Sequence, residues 1–264
     1  MLPQPKALLM DLDGVVCRGM TPLPGACEAI PTLRRLGIRF AFVSNNATLT
    51  PEQNADNLRA MGVPAAPEDF VTSPLAVASY LRSVAPANAS VCVIGEEGLI
   101  RALEAAGFRV DDADPAYVVV GLDRQLTYQR LVAACRGVQR GAPLVVANLD
   151  RALPVDDGLW PGCGAIVAAI TTATGATPIV VGKPEPLLLQ VALNRLGVAP
   201  ESAAIVGDQI ASDIRAGKAA GIFTILVEGD LATPVDGIQP DMRVRDLAHL
   251  LALLEEGADD PTRA

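Results

Sequence analysis

Apolar residues along this chain fall into short runs that stop abruptly at polar positions. Ala7-Leu8-Leu9-Met10 runs into Asp11, Phe40-Ala41-Phe42-Val43 into Ser44, Ile179-Val180-Val181 into Gly182-Lys183, and Ala203-Ala204-Ile205-Val206 into Gly207-Asp208. Each polar group sits where a buried strand would end. Helix signals separate these runs. Ala26, Ala29, Ile30, Leu33 and Leu36 share one helical face, with Gly37 as the stop and Pro31 as an expected kink. Thr50-Pro51-Glu52-Gln53 carries the cap, the first-turn proline and the third-position glutamine of a helix start, and its pattern runs on to Gly62. Ser73-Pro74 opens another helix in the same way.

Strands alternating with helices predict a parallel sheet, whose ligand site lies beyond the carboxyl ends of the strands. The four polar strand ends are therefore expected to converge. The middle of the chain has an alternation of its own: Val91 to Ile94, a helix to Ala106, Tyr117 to Val120, a helix from Thr127 to Arg140, Leu144 to Ala147, and a helix from Gly162 to Thr174. Because this block lies between the second and third polar strand ends, it reads as a domain inserted at residues 78–181. It splits a core into residues 1–77 and 182–254, and 255–264 reads as a flexible tail.

Composition supports this α/β reading. The 264 residues leave room for two domains, and aromatics make up only 3% of them, so the cores must be built from Ala, Val, Leu and Ile. Mean hydropathy is +0.34, yet no run approaches the ~18 apolar residues of a membrane span. The apolar excess suits cores or a subunit interface. A net charge of -9 without a basic stripe excludes nucleic acid as a partner. Cys17, Cys27, Cys92, Cys135 and Cys163 are scattered and form no CxxC pair, so they read as reduced residues. Only four apolar positions separate Lys6 from Asp11, too few for a signal-peptide core, and a cytoplasmic location is expected.

Asp11-Leu12-Asp13-Gly14 sets two carboxylates after a buried strand, where uncompensated negative charge is costly. A hard divalent cation, magnesium above all, would answer that charge; a plain turn fits the four residues equally well. Ser44-Asn45-Asn46 offers a hydroxyl and amide donors suited to phosphate oxygens, and alone it reads as an N-cap or Asx turn. Lys183, in Gly182-Lys183-Pro184-Glu185-Pro186, would neutralise phosphate, or be a solvated loop lysine. Pro184 in place of Ser or Thr rules out a nucleotide P-loop, and no GxGxxG is present. Gly207-Asp208 would complete a metal site. Asp213 could hold Lys183, hold a metal-bound water, or favour a helix dipole.

Together, Asp-x-Asp-Gly, Ser-Asn-Asn, Gly-Lys-Pro and Gly-Asp-x-x-x-x-Asp, in that order after strand-like runs, resemble the haloacid dehalogenase superfamily. The long insert resembles the large C2 cap of its class IIA branch, which holds phosphatases of nucleotides, phosphoglycolate, glycerol phosphate, pyridoxal phosphate and 4-nitrophenyl phosphate. The cap residues that carry the likeness are Gly121-Leu122-Asp123-Arg124 with Thr127-Tyr128, Asn148-Leu149-Asp150 with Pro154, and Pro161-Gly162-Cys163-Gly164-Ala165. It covers about residues 6 to 250; Gln209, where relatives often carry Arg, departs from it.

The resemblance implies a Rossmann-like core with an inserted α/β cap, and a magnesium-dependent phosphatase working through an aspartyl phosphate. Asp11 would be the nucleophile and Asp13 the general acid and base. Asp11, Asp13 and Asp208 would hold the metal, Ser44, Asn45 and Lys183 the phosphate, with Asp213 and Asn46 as outer supports. Asn148, Asp150, Trp160, Gly162 and Cys163 become cap candidates for choosing the substrate, although Trp160 is expected mainly in a core. His249 reads as a helix-surface residue. Glycerol phosphate or phosphoglycolate is the expected substrate, with a nucleoside monophosphate or pyridoxal phosphate as the alternative, and a homodimer through the cap is expected. Motif order disfavours a receiver domain, and the proton donor Asp13 disfavours dehalogenation. A catalytically silent sensor of a phosphorylated metabolite is the rival from another class.

Overall fold

The computed structural model of the chain describes residues 4–155, 158–229, 234–235 and 237–258. In chain order its strands are β1 (Ala7–Met10), β2 (Cys17–Arg18), β3 (Thr21–Pro22), β4 (Arg39–Ser44), β5 (Phe70–Thr72), β6 (Ser90–Ile94), β7 (Arg109–Val110), β8 (Tyr117–Val120), β9 (Leu144–Val146), β10 (Ala152–Val155), β11 (Gly158–Pro161), β12 (Ile179–Val180), β13 (Ala203–Gly207), β14 (Phe223–Val227) and β15 (Met242–Val244). Its helices are α1 (Ala26–Arg35), α2 (Pro51–Ala60), α3 (Ser73–Val84), α4 (Glu97–Ala105), α5 (Tyr128–Gln139), α6 (Cys163–Thr174), α7 (Leu187–Leu196), α8 (Arg215–Ala220) and α9 (Leu247–Ala258). These elements form two compact units, the first from the described residues of 1–44, 52–71 and 183–264, the second from those of 45–51 and 72–182. The second starts upstream of the sequence-based boundary at 78, because α3 packs along α4 and goes with it whole.

The sheet of the first unit has the order β15-β14-β13-β1-β4-β5. β1 pairs in parallel with β4 and β13, and β13, β14 and β15 continue in parallel. β1 is buried along its length, as a central strand with helices on both faces must be. Leu8 and Met10 point to one face, where they share a core with Phe42, Ile30, Leu33, Leu247 and Leu250 from β4, α1 and α9. α7 packs on β1 and β4 and buries Leu188, Leu189, Ala192 and Leu193. Each fully buried Leu or Ile contributes about 1.5–3 kcal/mol, so aliphatic side chains can support this core with few aromatics. α1 continues through Pro31. α9 includes residues 255–258, where a tail was expected: Leu254 is buried and Glu255 pairs with Arg35 of α1. Residues 259–264 of that expected tail lie outside the described residues.

The second unit holds a parallel sheet ordered β12-β9-β8-β6-β7. Cys92, Ile94, Val118, Val120 and Val146 share a core with Ala134 of α5 and Ile166, Val167 and Ile170 of α6. The alternate residues Val91, Val93, Val119 and Val145 are buried as well, so the α/β class and the parallel sheets expected from the sequence are both present. Ile179-Val180 departs from expectation. It pairs with Val145-Val146 at the edge of this sheet and does not join the first unit's sheet, and the chain enters the first unit only at Lys183. β10 and β11 form an antiparallel hairpin in which Trp160 opposes Leu153. Trp160 is 46% exposed rather than in a core, on a strand, β11, whose four residues are all exposed. Among the described residues no helix is long and apolar enough to cross a membrane.

Candidate active site

Adjacent parallel strands deliver their carboxyl ends to one edge of the first unit. Asp11 follows β1 directly, Ser44 closes β4 and Asp208 follows β13. Lys183 is 2% exposed, and its ammonium donates to Asp11 Oδ1 at 2.7 Å, Asp213 Oδ1 at 2.6 Å and the Val43 carbonyl at 3.2 Å. Asp213 comes from a wide helical turn, Ile210–Ile214, that leads into α8, and its Oδ2 accepts the Gln209 N–H at 3.1 Å. Of the three roles left open for Asp213, holding Lys183 is the one its geometry displays.

Carboxylate oxygens of Asp11, Asp208 and Asp213 lie within 4.8 Å of one another, all three residues buried. One ammonium cannot balance three carboxylates. Burial, reinforced by the charge of Asp213, pushes Asp11 well above the usual carboxylate range despite Lys183. The same two causes push Asp208 up to about 6. Burial alone would lower the pKa of Lys183, but Asp11 and Asp213 hold its ammonium charged. Asp208 Oδ1 is buried and has no hydrogen-bond partner among the described residues, an arrangement that costs about 1–3 kcal/mol unless something else satisfies it. Excess negative charge and an orphaned hard oxygen are what a magnesium ion requires, so these residues fit the metal.

Asp13 lies outside that carboxylate trio, at a residue that is exposed overall; desolvation of its carboxyl by the surrounding protein still raises its pKa, against the pull of Lys183. Gly14, read from the sequence as a turn residue and as the glycine of Asp-x-Asp-Gly but given no role of its own, shapes the site. Its φ is 86°, and a Cβ there would lie 2.1 Å from Asp208 Oδ2, so no other residue fits without moving a proposed ligand. The available signal was a glycine directly after paired carboxylates.

The remaining candidates belong to the second unit. Asn45 Nδ2 points at both oxygens of Asp150, at 3.5 and 3.4 Å, and the Asn45 carbonyl accepts from Asn148 Nδ2 and from Ser73 Oγ, each at 2.8 Å. Asn46 closes a local Asx turn, its Oδ1 accepting from Thr48 N at 2.9 Å and Thr48 Oγ1 at 2.7 Å. Gly162 caps α6. Cys163 is 2% exposed in the unit's core, and burial pushes its thiol up to about 12. The pairing of Ser73 with Asn45 had no counterpart in the sequence reading, which used Ser73 only as a helix start.

Residues 8–109 match the haloacid dehalogenase-like hydrolase family, and residues 180–250 match a second, HAD-hydrolase-like one. An acid sugar phosphatase of Staphylococcus aureus is 40% identical over 260 residues, 97% of this chain and 100% of that protein. Among solved structures, a p-nitrophenyl phosphatase from Archaeoglobus fulgidus is 34% identical with a TM-score of 0.88, covering 95% of this chain and 100% of that one. A double mutant of a thermostable NPPase from Geobacillus stearothermophilus is 40% identical with a TM-score of 0.86, covering 94% and 98%. The order of motifs, the buried carboxylates at the strand ends and these full-length likenesses agree: the chain belongs to the haloacid dehalogenase-like hydrolases, among the phosphoric monoester hydrolases of that family.

Proposed function

We propose that the chain hydrolyses phosphate monoesters of small metabolites with magnesium bound, Asp11 taking the phosphoryl group as a mixed anhydride. The observation that carries this reading is the Lys183 ammonium buried between Asp11 and Asp213, in a site where an oxygen of Asp208 has no partner among the described residues. Lys183 orients Asp11 and offsets part of the charge that would repel an anionic substrate. An Asp11 oxygen attacks phosphorus and the bond to the leaving alcohol breaks. Asp13 gives that alcohol its proton and then takes one from the water that attacks the aspartyl phosphate, a two-way role its exposure suits. Ser44 and Asn45 donate to phosphate oxygens. Magnesium, held by Asp11 and Asp208 with Asp13 as the resemblance implies, would supply the positive charge that stabilises the transferring group.

Glycerol phosphate and phosphoglycolate are the first candidate substrates. A nucleoside monophosphate and pyridoxal phosphate stand behind them, and the name of the Staphylococcus aureus relative adds a sugar phosphate. The protein works in the cytoplasm, a reading its free, scattered cysteines support. It pairs through the second unit, where Leu149, Leu159, Trp160 and Ile179 are exposed; a monomer by sedimentation at high concentration would end that part. Purified protein should hydrolyse p-nitrophenyl phosphate with magnesium and lose activity on chelation, and a side-by-side kcat/KM comparison of the candidate esters names the substrate. Asp11→Asn should abolish turnover in a chain that still folds. Turnover at the parent rate in that variant would sink the nucleophile, whereas no turnover of any candidate ester by the parent protein would favour the silent-sensor reading.

A further inference from the structure

Asn45 is gripped at both its backbone and its side chain by residues distant in sequence. Its carbonyl takes two donors, Asn148 Nδ2 and Ser73 Oγ, at 2.8 Å each. Asn148 is 4% exposed, and its Oδ1 in turn accepts the backbone N–H of Asp150 at 3.0 Å. That bond places the Asp150 carboxylate where the Asn45 amide reaches it. On the opposite side, a Cβ on Gly182 would lie 2.5 Å from Asn45 Oδ1 and 2.3 Å from the Ala147 carbonyl, so the carboxamide occupies space that only glycine leaves free. One buried asparagine therefore uses both ends of its side chain on a single neighbour, one end directly and the other through Asp150.

We infer that Asn148, assisted by Ser73, is a positioning residue of the phosphatase reaction, holding Asn45 in the orientation from which it meets a substrate phosphate. A segment that follows a strand directly and carries a partly exposed asparagine would otherwise sample several backbone conformations, and each would aim the amide elsewhere. The inference rests on the reading of Asn45 as a phosphate donor.

The two ideas separate by experiment, with p-nitrophenyl phosphate as substrate and inorganic phosphate as inhibitor. Asn45→Ala should raise both KM and the phosphate inhibition constant; unchanged values would overturn the role of Asn45 and this inference with it. Given that rise, Asn148→Ala should raise both constants about fivefold, and Ser73→Ala about twofold, as expected for loss of neutral hydrogen bonds, with kcat little changed. Neither should add to Asn45→Ala in the double variants. A lower kcat with both constants unchanged, or fully additive losses, would overturn the positioning role while leaving Asn45 in place. If thermal melting shows that Asn148→Ala does not fold, the Ser73→Ala and Asn45→Ala pair decides by the same criteria, since Ser73 donates to the same carbonyl.

Discussion

Lys183 donates inside the protein to the carboxylates of Asp11 and Asp213 and to the Val43 carbonyl, and so is both a structural pin and the main positive charge at the site. Replacing it by methionine keeps much of the volume but leaves Asp11 and Asp213 buried together without their cation. Breaking a buried pair in this way costs about 3–5 kcal/mol. Lys183→Met should therefore lower unfolding free energy by roughly that amount in urea titrations and lose turnover as well. Unaltered stability would mean that the two carboxylates are relieved by protonation or solvent instead. Asp11, Lys183 and Asp208 were legible in the sequence because each is a charged residue at the end of a run too apolar to leave it unexplained. For Asp213 the sequence offered Lys183 as one of three roles without choosing, since a carboxylate near a helix start satisfies local rules whichever way it points. Asn45 and Asn148 stand 103 positions apart, beyond the reach of any local pattern.

At the level of elements, paired β-structure was the least visible. β10 and β11 each contain a proline, which argues against a strand when periodicity is the only guide, and β2 and β3 are too short to show any. The run Ile179-Val180-Val181 was recognised as strand-like but assigned to converge with the core strands, because sequence cannot say which sheet a short apolar run will join. β15 is held to β14 by side-chain chemistry that pattern reading missed. Asp241 Oδ2 accepts from both N and Oγ1 of Thr224 at 2.8 Å, and Lys218 binds its other oxygen. Burial raises the carboxyl's pKa, but Lys218 and Thr224 outweigh it and hold the group below its usual range. A folded-state pKa below the unfolded one gives stability that is full at neutral pH and drains away as pH falls through the carboxylate range. Asp241→Asn should melt lower at neutral pH and lose less on acidification than the parent. Parallel melting curves down to the acid limb would refute the ion's role in pinning this edge strand.

Across the whole molecule, the insertion was legible because the middle block repeats its own alternation of strands and helices between two site motifs. Its margins were less so. Chain crossings between the units fall at Ser44–Asn45, Pro51–Glu52, Val71–Thr72 and Gly182–Lys183, and two of these divide a pair of candidate site residues or their direct neighbours, where the step from apolar run to polar residue reads as a strand end and not as a domain margin. The burial of Lys183 also bears on the chemistry of the chain as a reagent. The sequence contains only three lysines, Lys6, Lys183 and Lys218. Lys6 is exposed and the Lys218 side chain is 39% exposed, while Lys183 is enclosed and charged. A mild acylating agent should therefore modify Lys6 and Lys218 within one kinetic phase and Lys183 only as the first unit opens, so that peptide mapping of acylation over time becomes a clock for that opening. Modification of Lys183 at the rate of Lys6 in the native protein would show that its enclosure is not maintained in solution. With so few amines, the chain would carry its own reporter of site integrity, readable by mass without any added probe.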